Sequence, residues 1–336
     1  MTLQQLRFLV AVVQSNLNIT AAGTRVGATQ PALSRQLKLL EEELGFNLFV
    51  RNGRSFAGIT PPGERVLQHA QRMLREVQNI RDVSEESRNA RQGVLSIGTT
   101  HTQGRYVLPA VIQNFRKEYP EVQVHLHQGT SEQIGEMATL DRIDLAIATG
   151  SRELFPEFVL LPCYRWHRRL IVPTGHPLTR VTKPSLAQIA AFPLITYVFS
   201  FSGPSSLHEL FARERLHPEV VLTAQDSDVI KTYVRLGLGI GLIADVALEE
   251  GDAESLTSID MAHLFPAHTT WVGFRGGALL GSYMYDFLHL LAPHLNRNLL
   301  REVKNCDSQQ EVDALFERLA IPVHEQLGGA RNYQTS

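Results

Sequence analysis

The sequence predicts a multi-domain α/β protein: a small helical unit with a β-hairpin, a long single helix, and a two-lobed α/β body. Three observations predict it. Apolar residues in the first sixty positions recur at helical spacing. An apolar seam with 4-3-4-3 spacing runs from Val66 to Ile80. From Val94 onward, short apolar strands alternate with helical stretches, the pattern of a parallel sheet flanked by helices.

In the first unit, Leu3, Leu6, Val10 and Val13 share one face of a helix. Asn18 fits the N-cap of a second helix, which turns Ala21, Ala22 and Val26 inward and stops at Gly27. Thr29 caps a third, with Pro31 in its first turn, where a missing N–H costs little. Leu33, Leu37, Leu40 and Leu44 form its buried stripe, and Gly45 closes it. The opposite face carries Gln30, Ser34, Arg35 and Lys38. Two short helices around a glycine turn, the second with a polar and basic front, fit a helix-turn-helix. Gln pairs bidentately with adenine and Arg with guanine, while Ser34 and Lys38 suit phosphates.

Taken alone, the third helix reads more simply as a solvated face. The next residues change the balance. Residues 48–51, the Asn52-Gly53 pair and residues 54–59 read as a hairpin with a type I′ turn, Arg51 and Arg54 flanking its tip. A basic hairpin directly after a helix-turn-helix is a wing. The DNA-facing set is therefore Thr29, Gln30, Pro31, Ser34, Arg35, Lys38, Arg51 and Arg54. Charge agrees: the first 92 residues hold twelve Lys and Arg against eight Asp and Glu, leaving −6 for the rest of a chain whose total is −2. A basic front on an acidic body suits a polyanion at the front.

Thr60-Pro61-Pro62 starts a helix that can run to about residue 91. Val66, Ala70, Met73, Val77 and Ile80 form its seam, and Ser84 continues it. The seam is expected to pair with the same helix of a second subunit; packing on its own body is the alternative. Pairing serves DNA binding, because two recognition helices must reach major grooves about 34 Å apart. Gln92-Gly93 ends the helix.

The body begins with strands at 94–98, 122–127 and 145–148 and a helix over 105–117. A second set of strands follows at 170–172, 193–196, 220–223 and 240–243; a strand at 270–274 and a helix at 283–291 return. Two similar α/β lobes, crossed twice by the chain, describe a periplasmic-binding-protein-like body. Ligands in such sheets sit beyond the carboxyl ends of the strands. Those ends carry Thr99-Thr100-His101-Thr102-Gln103, Thr149-Gly150-Ser151, and Ser200-Phe201-Ser202-Gly203 before a helix near Pro204. Hydroxyls at helix N-termini favour anions, though ordinary N-caps look the same.

Other features exclude chemistry. Gly237-Leu238-Gly239-Ile240-Gly241 is a helix stop before a strand, not a dinucleotide loop. Asp226-Ser227-Asp228 is a capped helix start rather than a carboxylate dyad. No GxSxG, Walker loop or HExxH occurs, so no catalytic residue and no cofactor are expected. Cys163 and Cys306 form no CxxC pair, and none of the thirteen histidines has zinc-ligand spacing with a cysteine, so no metal is expected. No apolar run approaches the roughly 20 residues of a membrane span, and the N-terminus is no secretory signal. A cytoplasmic protein without membrane contact is expected.

The first ninety residues resemble the LysR-type transcriptional regulators. To about Leu295 the chain resembles the CysB branch of that family, which governs sulfate-assimilation, cysteine and sulfonate genes. The resemblance is carried by Thr99-Thr100-His101-Thr102-Gln103 with Arg105-Tyr106, His127-Gln128-Gly129, Leu161-Pro162-Cys163-Tyr164, the stretch from Asp228 to Gly237, and Ser282-Tyr283-Met284-Tyr285-Asp286-Phe287. It implies a regulator, not an enzyme: a homodimer through the linker helix and a homotetramer overall, binding double-stranded promoter DNA and RNA polymerase. Its cleft would take a sulfate-like anion or an acetylserine-type inducer. The implied anion set falls on Thr100, Thr102, Gln103 and Thr149, with Ser202 where the family has Thr. Gly104 stands where the family has Ala, and Pro204 replaces a basic residue.

The expected domains are 1–59 (winged helix-turn-helix), 60–92 (linker and dimerisation helix), 93–300 (effector-binding) and 301–336 (C-terminal helix and tail). Lobe I takes about 93–165 and 266–300, lobe II about 166–265. Val312, Leu315, Phe316 and Leu319 suggest an amphipathic helix at a subunit contact, and disorder is expected from Gly328. The competing reading is a cytosolic solute-binding protein whose front serves only assembly, which leaves the basic hairpin unexplained.

Overall fold

A computed structural model describes residues 1–53, 55–89, 92–150, 152–198 and 207–324. Two units separate, residues 1–90 and residues 91–336.

The first unit contains α1 (Leu3–Gln14), α2 (Ile19–Val26), α3 (Gln30–Leu44), β1 (Phe49–Asn52), β2 (Ser55–Ile59) and α4 (Pro61–Asn89). Local signals set the helix ends. Thr2 and Gln5 form a capping box at α1. The Asn18 side chain accepts the Ala21 N–H at 3.0 Å, and Gly27 and Gly45 close α2 and α3 in the left-handed conformation. Thr29 has N-cap backbone geometry, but its side chain accepts no capping bond. Leu6, Leu9, Leu33, Leu37, Leu40 and Leu48 make the core.

Three expectations for this unit need correction. Ala21 is exposed; Ala22 and Gly23 face inward, and a Cβ on Gly23 would lie 2.6 Å from the Ala28 carbonyl oxygen. The hairpin turns one residue later than the Asn-Gly pair suggests. Asn52 pairs with Ser55, so it belongs to the strand, and Gly53 at φ 64° opens the loop. The seam of α4 is divided. Val66 and Ala70 pack on the unit's own core together with Leu67 and Leu74, which gives their half of the seam to α1. Farther along, Met73 is 44% exposed and Ile80 69%. The Ser84 side chain lies outside the described residues.

The second unit runs through β3 (Gly93–Thr99), α5 (Leu108–Glu118), β4 (Val122–Gln128), α6 (Ser131–Thr139), β5 (Leu145–Thr149) and β6 (Phe158–Trp166). It continues with β7 (Arg168–Pro173), α7 (Leu186–Ala190), β8 (Leu194–Tyr197), α8 (Leu207–Arg213), β9 (Val220–Ala224) and α9 (Ser227–Arg235). It ends with β10 (Ile240–Ala244), β11 (Leu256–Asp260), β12 (His268–Arg275), α10 (Ser282–Leu291), α11 (Arg297–Lys304) and α12 (Gln309–Phe316). The helix expected over 105–117 is entered through a π-helical turn, Gln103–Val107, before α5 begins. Such wide turns free backbone groups and recur at functional sites.

Two five-stranded sheets result, in orders β4-β3-β5-β12-β6 and β11-β7-β10-β8-β9. Both are mixed rather than wholly parallel. β3, β4 and β5 are parallel, and so are β8, β9 and β10, but β12 runs antiparallel to β5 and β7 antiparallel to β10. The chain changes sheets at His167, between β6 and β7, and again between β11 and β12. β6 and β11, which alternation did not announce, are outer strands. Pro162 is tolerated in β6 because an edge strand leaves one side unpaired, and the pairing shifts register beside it.

The C-terminal helices also differ from expectation. Leu300, Val303, Val312 and Phe316 enter the core of the first lobe. Both terminal guanidinium nitrogens of Arg152 donate to Asp313 at 2.7 Å, and the Gln309 amide bonds both the N–H and the carbonyl of Leu160 at 2.9 Å. These bonds fix α12 to its own lobe instead of presenting it to another subunit; Leu319 is exposed. Among the described residues, no helix is long and apolar enough to cross a membrane.

Candidate functional site

On α3, Gln30, Pro31, Arg35 and Lys38 are exposed, Ser34 is half-buried, and Thr29 is exposed just before the helix. Pro31, Arg35 and Lys38 lie away from the buried Leu33, Leu37 and Leu40 stripe, and Gln30 is exposed at the open first turn. Lys38 lies 3.7 Å from Glu42, an exposed pair that solvent screens. Arg51 is partly committed elsewhere. It lies 2.5 Å from Glu41, a buried carboxylate that also accepts the Leu48 and Phe49 N–H groups at 2.9 and 3.3 Å, and its guanidinium lies over Phe56. Arg51 therefore ties the wing to α3. Arg54 lies outside the described residues.

In the second unit, the carboxyl ends of the strands bring most of the expected residues together. Gln103 sits in the π-helical turn and is 2% exposed. Its Nε2 donates to Thr270 Oγ1 at 3.4 Å, and its Oε1 accepts the Tyr164 hydroxyl. Thr270 Oγ1 lies 3.0 Å from Thr149 Oγ1, which also accepts the Trp166 indole N–H at 3.4 Å. Gln103 and Thr149 thus belong to one hydrogen-bonded chain whose middle member is Thr270. Thr149 ends β5 and is followed by a short 3-10 turn (Arg152–Leu154), not by the helix N-terminus expected there. Thr100 and Thr102 are half-buried at the end of β3.

Thr102 faces the second lobe, with its hydroxyl near that of Tyr197. Tyr197 is buried among the ends of β8, α9 and β10, its hydroxyl 2.6 Å from Ser227 Oγ and 3.1 Å from the Ala244 N–H. Burial raises the pKa of both Tyr164 and Tyr197, so each stays a neutral phenol. Ser202 and Ser151 lie outside the described residues. Sequence reasoning gave Tyr164 no role and missed Thr270, Trp166, Tyr197 and Ser227 as site members. Tyr164 and Trp166 sit in β6, a strand the sequence pattern did not announce, and Thr270 and Tyr197 sit at or just past the ends of strands that did read as such, where the only available signal was a polar atom at an inward position.

A charged latch joins the lobes beside this chain. Arg105 lies 3.1 Å from Glu249 and 3.9 Å from Asp228, and Tyr106 donates to Asp228 at 2.5 Å. Lys231, buried, reaches Asp252 at 3.0 Å, the Ala247 carbonyl at 3.0 Å and Glu249 at 3.4 Å. Burial alone would raise the Asp252 pKa, but the Glu249 N–H and Lys231 outweigh it and hold it below the usual range. His101, Asp226 and Asp228 bring ligand-type atoms within 4.8 Å of one another. Tyr106, Arg105 and Lys231 already compensate Asp228, leaving that cluster little excess negative charge for a cation.

Residues 88–296 match the family model of the LysR substrate binding domain, and residues 3–64 match that of the bacterial regulatory helix-turn-helix protein, lysR family. The chain belongs to the LysR family of transcriptional regulators. It is similar to the HTH-type transcriptional regulator CysB of Haemophilus influenzae, 41% identical over 96% of this chain and 99% of that one. It is similar to the regulator SsuR of Burkholderia cenocepacia, 42% identical over 90% of this chain and 99% of that one. The crystal structure of the cofactor-binding domain of the Cbl transcriptional regulator covers 64% of this chain and 95% of its own, with 44% identity and a TM-score of 0.59. These relatives are transcriptional regulators of the LysR family, not enzymes.

One group at the lobe junction titrates in an informative way. His268 stacks on Trp166 at 4.6 Å, and its Nε2 accepts the Arg168 Nε–H at 3.2 Å, which requires a neutral imidazole. Burial, then Arg168 and His167, lower its pKa to about 4. The unfolded chain therefore binds this proton first, and stability falls as pH drops from about 6.5 toward 4. His268→Gln is expected to flatten that limb in denaturant titrations across this range. An unchanged slope would show that His268 does not carry it.

Proposed function

We propose that the chain is a ligand-responsive activator or repressor of sulfur-assimilation genes in the cytoplasm, with a cleft that takes a sulfate-like anion or an acetylserine-type inducer. The observation that carries this is the set of neutral donors at the strand ends, Thr100, Thr102, Gln103 and Thr149, of which Gln103 and Thr149 are held from behind by Thr270, and Gln103 also by Tyr164. Preorganised neutral donors bind an oxyanion without a charge partner, hence reversibly. Ser202 is assigned the fifth hydroxyl. The similarity to CysB, SsuR and Cbl supports a sulfur-related signal.

At the other end, Gln30, Ser34, Arg35 and Lys38 enter the major groove of double-stranded promoter DNA, with Thr29 and Pro31 at the helix start. Arg54 and, through its half-exposed side chain, Arg51 approach the backbone from the wing. The open half of the α4 seam, Met73, Val77 and Ile80, pairs two chains, and two such dimers form a tetramer that contacts RNA polymerase. The domain limits expected from sequence serve this division.

Two substitutions test the two ends. Arg35→Ala is expected to weaken specific promoter binding by about 1–3 kcal/mol in a gel-shift titration; an unchanged isotherm removes Arg35 from base contact. Thr102→Ala is expected to weaken sulfate or acetylserine binding by calorimetry while the protein stays folded. Unaltered affinity for every compound tried would place the sensing pocket elsewhere.

A further inference from the structure

The matched substrate-binding model ends at residue 296, but the described chain continues to His324. After α12 it returns to the outer edge of the first sheet. The Arg165 N–H donates to the Pro322 carbonyl at 2.8 Å, and Val323 bridges Arg165 in parallel pairing beside β6. This short addition closes part of an open strand edge. It also sets His324, 8% exposed, against the ring of Tyr164 with centroids 5.3 Å apart.

Tyr164 is fully buried, and its hydroxyl donates to Gln103 Oε1. A side-chain amide has one oxygen and one NH₂ group, and the bond to its oxygen decides which way the NH₂ group faces. With Oε1 taken by Tyr164, one N–H of Nε2 goes to Thr270 and the other is left for a ligand. The orientation of a sensing donor thus depends on a tyrosine whose ring is backed by the C-terminal tail.

We propose that His324, and the 321–324 segment that carries it, is a positioning element of the effector pocket. It acts through Tyr164 on Gln103 and touches no ligand itself. The inference rests on the reading of the cleft as the effector site. A ring removed behind Tyr164 leaves room for the phenol to move and for the Gln103 amide to rotate, and a donor held loosely binds less well. The tail then tunes the affinity of the sensor without entering its cleft.

The test uses the full-length protein and inorganic sulfate as the probe, titrated by calorimetry. His324→Ala is expected to bind sulfate about three- to tenfold more weakly than the native chain, with promoter binding unchanged. His324→Phe, which refills the space, is expected to return affinity to within about twofold. In the ligand-free protein, the Gln103 side-chain NH₂ resonances are expected to shift in His324→Ala, as they do in Tyr164→Phe. Wild-type affinity in His324→Ala, alongside weakened binding in Thr102→Ala, overturns the proposal and spares the cleft. If the native chain binds no sulfate, the sulfate-like reading of the effector has failed by itself. The Gln103 resonances then decide: unmoved, they reject the positioning role, and shifted, they support it.

Discussion

The amide of Gln103 is buried at the mouth of a sheet, where a polar group left without partners would cost about 1–3 kcal/mol. Its surroundings are arranged to satisfy it. Tyr164 from β6 supplies a donor, Thr270 from β12 an acceptor, and Thr149 from β5 extends the chain to the Trp166 indole. Three strands, one of them about a hundred residues further along the chain, must therefore be neighbours and in register before this bonded chain exists. The antiparallel insertion of β12 between β5 and β6 meets that requirement, placing Thr270 opposite both Thr149 and Tyr164. This is a structural reason for the mixed sheet.

The same economy of polar groups holds the two lobes. Thr102 and Tyr106 follow β3 in the first lobe; Tyr106 bonds Asp228 on the second, and Thr102 lies near Tyr197. The first lobe's side of this contact thus occupies one short stretch, residues 102–106, that overlaps a π-helical turn. In the first unit, Glu41 plays a comparable role. A single buried carboxylate gathers two backbone N–H groups and Arg51, so the wing is oriented by a charge-assisted network rather than by its apolar strands alone.

How much was legible in the sequence follows from how local each signal is. The helices of the first unit were readable because caps, glycines and the leucine stripe act within a few residues. The hairpin register was not, because the Asn52–Ser55 pairing overrode the local preference of Asn-Gly for the turn. The whole α4 seam was assigned to another subunit, although its first half packs on its own unit, because a heptad pattern cannot distinguish a neighbouring helix of the same chain from a second chain. In the cleft, Thr100, Thr102, Gln103 and Thr149 stood out as polar residues after apolar strands. Thr270 and Tyr164 did not, because inside strands of buried residues nothing marks a hydroxyl as functional until its partner, far along the chain, is in place. The C-terminal helix was read as a contact surface because its apolar face was visible and the lobe that covers it was not.

The central claim is that the site depends on the Tyr164–Gln103–Thr270–Thr149 chain. The most direct measurement is the calorimetric affinity for sulfate of Thr270→Val, which keeps the shape and removes the hydroxyl that Gln103 and Thr149 share. The account predicts a folded protein whose affinity falls about tenfold or more, as Gln103 loses its anchor. A folded Thr270→Val protein that binds sulfate as tightly as the native chain would contradict it.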